Sequence, residues 1–226
     1  MIGIISDIHG NYPALKAVLD VLSKEKCNKI ISLGDVAGYY CDINECIDLL
    51  RERNVENIMG NHDNYLISGI RCPRSQSANL CLDYQRSIIT KKNMEWLKKS
   101  KEYIDTKLIS FRHGGWQDYR DEYIYSFDFD LIKERKEKIY VSGHTHIQTV
   151  LYENNRIYVN PGSVGQPRDY LPTAAFALID DDNDYKVILR RTQYDIECII
   201  NKMHSKGFPS KIAECLIKGT KIGEIR

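Results

Sequence analysis

Residues 2–11 read IGIISDIHGN, a short aliphatic run that ends at a carboxylate and an imidazole. Residues 29–35 (KIISLGD) and 55–63 (VENIMGNHD) follow the same pattern, with an apolar run before a glycine and polar side chains that can bind metals. Helical patterns separate these runs. One opens at Pro13, where a missing N–H costs nothing, and the other covers residues 43–53. The alternation predicts an α/β fold, with a sheet that carries helices on its faces.

The chain beyond this alternation has a different organisation. Residues 64–106 are polar and predict helical or irregular structure. The rest predicts two strands, one charged helix, two hairpins and a pair of C-terminal helices. The two strands cover residues 107–112 and 139–142, and the charged helix covers residues 128–138. The hairpins cover residues 147–159 and 174–191, and the C-terminal helices lie in residues 197–226. The hairpins are expected to turn at residues 154–155 and near residues 181–184. We find neither an internal repeat nor a linker, which predicts a single domain over residues 1–226.

The composition limits the class of protein. The chain has 226 residues, of which 42% are hydrophobic and 28% charged, with a formal net charge of +1. These values exclude a mainly disordered or collagen-like chain, and the balanced charge argues against a long nucleic acid as partner. The chain shows no signal peptide and no membrane span, and its seven cysteines predict free thiols, so we expect a cytoplasmic protein. The oligomeric state stays open, with a homodimer as the commonest assembly.

Polar residues that can bind metals follow five predicted strands. Each motif alone is weak, because a Gly-Asp pair or an Asn-His-Asp triplet also occurs in turns and helix caps. Functional groups gather beyond the carboxyl ends of strands in sheets of this winding. Five of the six histidines lie in these segments, which together predict a shared site. The segments are Asp7-x-His9, Asp35, Asn61-His62-Asp63, His113 and His144-x-His146.

The order of these motifs resembles the calcineurin-like metallophosphoesterases. Residues 160–169 (NPGSVGQPRD) narrow the resemblance to the compact bacterial and archaeal phosphoesterase branch often labelled diadenosine-tetraphosphatase-like. The resemblance covers nearly the whole chain. It implies a four-layer αββα sandwich of two mixed β-sheets flanked by helices, with two metals at the strand ends. The motifs that carry it are Asp7-Ile8-His9-Gly10-Asn11, Gly34-Asp35-Val36, Gly60-Asn61-His62-Asp63 and Gly143-His144-Thr145-His146.

The resemblance also implies a ligand set for two metal ions. Oxygen and imidazole ligands suit first-row metals, so Mn, Fe, Zn, Ni and Co all fit as a divalent or mixed-valence pair. Two divalent ions against two carboxylates leave an excess of about two positive charges, which suits a phosphate-bearing substrate. The implied ligands are Asp7, His9 and His146 for the first metal, Asn61, His113 and His144 for the second, and Asp35 as the bridge.

The activity that the resemblance implies is hydrolysis of a small phosphate ester. A metal-bound water, as hydroxide bridging the two ions, would attack phosphorus. His62 would contact the phosphate and protonate the leaving oxygen, and Asp63 would orient His62. A phosphomonoester or nucleotide-type substrate is favoured. Two alternatives remain open: a phosphodiesterase acting on cyclic nucleotides or nucleic-acid ends, and a metal-binding scaffold without turnover.

Three further residues are candidates for substrate contacts. Arg168 ends a Gly/Pro-rich loop and would hold a second phosphate, unless it pairs with an acid such as Asp169. Asn11 would either touch substrate or cap a helix. Trp116 follows a Gly-Gly pair where relatives have a small residue and proline, and it would stack on a base or sugar unless it packs under its loop. Tyrosines are also frequent in residues 119–125.

Overall fold

The computed structural model describes residues 1–181 and 185–223. Over these residues the chain forms ten strands, seven α-helices and one turn of 3-10 helix. The strands are β1 (Ile2–Ile5), β2 (Lys29–Ser32), β3 (Glu56–Asn57), β4 (Ile104–Asp105), β5 (Ile109–Phe111), β6 (Ile139–Val141), β7 (Gln148–Glu153), β8 (Arg156–Pro161), β9 (Ala174–Asp180) and β10 (Lys186–Thr192). The helices are α1 (Tyr12–Lys24), α2 (Ile43–Glu52), α3 (Asn61–Ser68), α4 (Gln76–Ile88), α5 (Lys91–Lys98), α6 (Ile196–Ser205), α7 (Lys211–Lys218) and the 3-10 turn (Phe129–Ile132).

The strands form two mixed five-stranded sheets. In the first sheet the order is β10-β9-β1-β2-β3, with β1, β2 and β3 parallel and β9 antiparallel to β1. In the second sheet the order is β4-β5-β6-β8-β7, with parallel β5, β6 and β8 between antiparallel edge strands. This architecture confirms the predicted α/β class of two mixed sheets flanked by helices.

The two sheets pack face to face, and alternation along the strands decides which side chains lie between them. Ile4 and Ile31 of the first sheet pack against Phe111 and Val141 of the second. Ile5 points to the other face of the first sheet and belongs to the core that the helices complete. His144 after β6 bonds to Asp7 after β1, and His113 after β5 bonds to Leu33 after β2, so the carboxyl ends of these parallel strands from both sheets meet at one edge of the sandwich.

Aromatic rings, and not a long helix, cover the outer face of the second sheet. The prediction of a charged helix over residues 128–138 is wrong, because only Phe129–Ile132 form a helical turn, of the 3-10 type. Phe127 stacks on Tyr158 of β8, with centroids 4.3 Å apart, and Phe129 packs beside it. Phe129 is buried and Phe127 is partly buried, whereas residues 133–138 (KERKEK) offer no apolar side chain that could hold a longer helix against the sheet.

Most other elements lie where the sequence predicts them. The third strand is shorter than predicted, since only Glu56–Asn57 pair in the sheet. The first hairpin turns at Asn154 and Asn155, both in the left-handed conformation that a tight hairpin turn needs. β9 and β10 form the second hairpin, whose turn near residues 181–184 lies largely outside the described residues. Within the described ranges, no helix combines the length and apolar character that crossing a bilayer requires. All seven cysteines are free.

Candidate metal centre

Five of the predicted metal ligands have left-handed backbones, with φ between 53° and 65°. This conformation costs about 1 kcal/mol or more for a residue with a side chain, and such residues gather at functional sites. Backbone hydrogen bonds hold the loops in place, for example from Asp7 N–H to the Gly34 carbonyl at 3.0 Å. The sharp turns direct the side chains that follow the strands into one buried space. The five are Asp7, His9, Asp35, His144 and His146.

The first group of converging side chains comprises Asp7, His9 and His146. The Nε2 atoms of His9 and His146 lie 3.2 Å apart, and His146 Nε2 lies 3.3 Å from Asp7 Oδ1. Each ring donates its Nδ1–H to a backbone carbonyl, His9 to Ala37 at 2.8 Å and His146 to Gln166 at 2.6 Å. A neutral imidazole that donates at Nδ1 carries a lone pair at Nε2. Two lone pairs and a carboxylate oxygen therefore face one another, an arrangement that fits a bound cation.

The second group of converging side chains surrounds His113. Its Nδ1 donates to the Leu33 carbonyl at 2.9 Å, so its Nε2 also carries a lone pair. That Nε2 lies 3.1 Å from Asn61 Oδ1 and 3.1 Å from His144 Nδ1. His144 Nε2 is buried and has no hydrogen-bond partner among the described residues. This second set of nitrogen and oxygen atoms fits a second metal of the first transition row.

Both carboxylates of the site divide their oxygens in the same way. Asp7 Oδ2 accepts the backbone N–H of His144 at 3.0 Å, and within the described chain Asp7 Oδ1 is buried without a hydrogen-bond partner. Asp35 Oδ1 accepts the backbone N–H of His62 at 2.8 Å. One oxygen of each carboxylate thus fixes a loop, and the other faces the imidazole groups.

Asp35 Oδ2 lies between the two groups of ligands. It is 3.8 Å from His9 Nε2 and 3.5 Å from His113 Nε2. Candidate ligand atoms within 4.8 Å of one another form three triads: Asp7, His9 and His146; Asp35, His113 and His144; and His9, Asp35 and His62. Asp35 and His9 each belong to two of these triads, but only Asp35 Oδ2 lies near an imidazole nitrogen of both ligand groups.

His62 lies beside the metal centre at the start of α3. Its ring centroid is 4.9 Å from that of His9 and 5.1 Å from that of Tyr39. Its Nδ1 is buried and lacks a hydrogen-bond partner in the described part of the chain. The Asp63 carboxylate does not contact this ring, because its oxygens accept the backbone N–H groups of Ala37 at 2.8 Å and Gly60 at 3.1 Å. Asp63 thus caps α3 and orients His62 only through the backbone.

Burial sets the protonation of the metal-free site. It lowers the pKa of His113 to about 4 and the pKa of His62 to about 3, the latter with help from the Arg168 charge. Burial also raises the pKa of Asp7 to about 7 and the pKa of Asp35 well above its usual range. The imidazoles are therefore neutral at ordinary pH, and without a cation both carboxylates keep their protons to a higher pH than a free aspartate does.

Metal affinity is expected to rise by about tenfold or more between pH 5.5 and pH 8, because the ion displaces the protons of Asp7 and Asp35. The metal-free protein should show the opposite trend. Folded pKa values above the unfolded ones make these acids stabilising at low pH, and that contribution is lost as pH rises through about 7. Calorimetric Mn²⁺ titrations and thermal melts at both pH values test this. A pH-independent Kd would mean that the carboxylates are already ionised.

Of the three candidate substrate contacts, only Arg168 lines the cavity beside the candidate metal centre. Arg168 lines a cavity of about 440 Å³ that adjoins Asn61 and His62. Its guanidinium donates to Gln166 Oε1, whereas Asp169 pairs with Arg191. The cavity therefore brings together an arginine, a catalytic candidate and a metal-ligand candidate.

Asn11 and Trp116 do not line that cavity. Asn11 caps α1 by accepting the Ala14 N–H at 3.3 Å, and it donates to the Gly165 carbonyl at 2.9 Å. Trp116 donates from Nε1 to Ser110 Oγ at 2.9 Å and packs on the outer face of the second sheet. Both side chains therefore make structural contacts away from the cavity.

Two tyrosines that the sequence reasoning did not name line the cavity with Arg168. The ring centroid of Tyr123 lies 3.9 Å from that of His144, and Tyr125 stacks against Tyr123 with ring planes 10° apart. The only sequence signal was the frequency of tyrosine in residues 119–125.

The loop of residues 160–169 packs against the candidate metal centre and bonds to two of its ligand residues. Ser163 Oγ donates to the Asp7 carbonyl at 2.7 Å, and the Gln166 carbonyl holds the ring of His146. A Cβ at Gly165 would lie 1.9 Å from the Ile8 carbonyl oxygen, so only glycine allows this approach.

Comparison with known proteins agrees with this fold. The profile of the calcineurin-like phosphoesterase superfamily domain matches residues 1–184. The uncharacterized protein MJ0912 of Methanocaldococcus jannaschii is 31% identical, over 97% of this chain and 98% of its own length. A metallophosphoesterase from Sphaerobacter thermophilus is 28% identical, with a TM-score of 0.81 over 96% of this chain and 99% of its own.

A second solved structure shares the fold. The hypothetical protein PH1004 from Pyrococcus horikoshii OT3 has a TM-score of 0.82 and 22% sequence identity, and the match covers 98% of this chain and 100% of that one. The family profile extends over most of the chain, and the archaeal relative from Methanocaldococcus jannaschii aligns with nearly all of it. The protein therefore belongs to the calcineurin-like phosphoesterase superfamily.

Proposed function

We propose that this phosphoesterase uses a dinuclear metal centre to hydrolyse a small phosphate ester, a phosphomonoester or nucleotide-type substrate. The observation that carries the proposal is the position of Asp35 Oδ2 between two groups of imidazole nitrogens. One ligand set would comprise Asp7, His9 and His146, the other Asn61, His113 and His144, with Asp35 shared. When bound, two such ions supply Lewis acidity, polarise phosphoryl oxygens and lower the pKa of water.

The residues at the cavity side of the centre have separate tasks. His62 lines the cavity, and its buried Nδ1 has no hydrogen-bond partner among the residues that the structure describes. Its ring would hydrogen-bond the phosphoryl group and give a proton to the leaving oxygen. Arg168 would hold a second anionic group, because its guanidinium faces the same cavity and bonds a neutral acceptor. Asp63 keeps the start of α3 in place and so fixes His62.

The proposal treats residues 1–226 as one catalytic domain. The support is the topology of the first sheet, in which β9 from the C-terminal part pairs with β1. The ligands come from loops after strands of both sheets, so the centre needs the two sheets to pack together.

The test is a substrate panel on protein prepared without metal and then loaded with Mn²⁺. The panel holds an aryl monoester, an aryl diester, a cyclic nucleotide, a diadenosine polyphosphate, and sugar and nucleotide monophosphates. We expect metal-dependent phosphate release from one or more monoesters. A clear preference for the diester or the cyclic nucleotide would favour a phosphodiesterase. Two bound metals with no turnover on any member would instead favour a metal-binding scaffold.

A further inference from the structure

The cavity beside the metal centre has an aromatic wall and a cationic wall. Tyr123 and Tyr125 line one part, and Tyr39 lies under Arg168, whose guanidinium carbon is 5.6 Å from the ring centroid. The described residues that line the cavity include no carboxylate. A cavity of about 440 Å³ lies in the range that holds a small organic ligand.

Tyr123 and Tyr125 form a preorganised pair of rings, which we call the tyrosine wall. Their centroids are 5.8 Å apart, and their planes differ by 10°. The guanidinium of Arg74 lies 5.2 Å from the Tyr123 centroid and is itself ion-paired with Asp121. His144 and Arg74 contact the Tyr123 ring and so hold the wall in place, while the Tyr125 side chain is 58% exposed.

Exposed aromatic rings beside a polar reaction centre can stack on a ligand that has an apolar planar part. A sugar phosphate can place only the C–H face of its ring on an aromatic side chain, and it offers less flat apolar area than a base. A nucleobase stacks on tyrosine through its π face and tolerates neighbouring guanidinium groups. The metal centre and His62 would receive the phosphoryl group at the other end of the same cavity.

We infer that the leaving group of the substrate is a nucleoside whose base stacks on the tyrosine wall. This inference rests on the proposed hydrolase function and assigns Tyr123 and Tyr125 as specificity-determining residues. Trp116, the sequence-based candidate for this role, packs in the aromatic cluster of the second sheet, outside the cavity. Arg168 lines the same cavity and would contact the phosphoryl group of this monoester or another anionic group on the nucleoside.

The test compares adenosine 5′-monophosphate with ribose 5-phosphate, which differ by the base alone, on the Mn²⁺-loaded protein. We expect kcat/KM to be about tenfold higher for the nucleotide, the contribution of one stacked base. Tyr125→Leu should lower the nucleotide preference by about tenfold, mainly through KM. The matched control is Tyr152→Leu on β7, another exposed tyrosine at 65% exposure, which should change neither rate.

Adenosine binding gives a readout that does not depend on turnover. Adenosine lacks a phosphoryl group, so its binding reports on the wall. One stacked base supports only a Kd in the millimolar range or weaker, so ligand-observed NMR is the measurement, and Tyr125→Leu should raise this Kd by a similar factor. Tyr123→Leu provides a second variant, with metal content measured because this ring contacts His144. Equal rates on both substrates would leave hydrolysis standing and overturn the tyrosine wall. Adenosine binding that is lost in Tyr125→Leu, without turnover of either substrate, would support the wall as a base-binding site and overturn the nucleoside monophosphate as the substrate. Failure to bind adenosine would overturn the wall.

Discussion

Replacing Asp35 with asparagine should lower kcat/KM for phosphoester hydrolysis by about a thousandfold or more and remove at least one bound metal. Asparagine has nearly the same shape but cannot satisfy both sides of this position. If its oxygen accepts the His62 N–H, its NH2 group faces His9 and His113, where it can donate to their Nε2 atoms but offers no lone pair to a metal ion. If the amide turns around, it opposes the His62 N–H. Either orientation also removes one of the negative charges that hold the ions.

Metal content after gel filtration and steady-state kinetics measure this effect together. The matched control is Asp42→Asn, a carboxylate that is equally buried and pairs with Lys202 away from the site. That variant should lose thermal stability, because Lys202 loses its partner, yet keep its metals and its kcat/KM. An Asp35→Asn protein with two metals and the wild-type rate would remove Asp35 from the centre.

The sequence predicts the strand ends well because the signal there is local. An aliphatic run followed at once by Asp7, Asp35 or Asn61 reports both the strand and the polar residue beyond it. The parallel order of β1, β2 and β3 then follows from the helices between them. The packing of two sheets against each other does not follow from these local patterns, since periodicity alone predicts only the α/β class. The family resemblance predicts it.

The contacts that tune the site are not visible in the sequence. The carbonyls of Ala37, Leu33 and Gln166 fix the imidazole tautomers, yet any residue type would present the same carbonyl. Trp116 follows His113 closely in the chain, but the turn through Gly114 carries the backbone away and its ring reaches the outer face of the second sheet. Tyr123 contacts His144 at the end of a loop, and no local sequence pattern predicts the path of that loop.

His62→Ala should retain both metals and lower kcat by a factor of about a hundred to a thousand on a substrate with a poor leaving group. In the metal-free protein burial holds the pKa of His62 at about 3, so the ring is neutral. A phosphate dianion in the cavity would favour the charged imidazole and raise that pKa on substrate binding. The ring could then donate its proton as the ester bond breaks, which an alkoxide leaving group needs and a nitrophenolate does not.

Two substrates therefore separate proton donation from positioning. The loss of kcat should be large with an alkyl or nucleoside phosphate and much smaller with p-nitrophenyl phosphate, and the acidic limb of the kcat–pH profile should move. His204→Ala on the exposed side of α6 serves as the control for removing an imidazole and should leave both rates unchanged. Equal losses on both substrates would assign His62 to phosphate binding alone. Loss of a metal ion would assign it as a ligand instead, because His62, His9 and Asp35 can also form a triad around a metal.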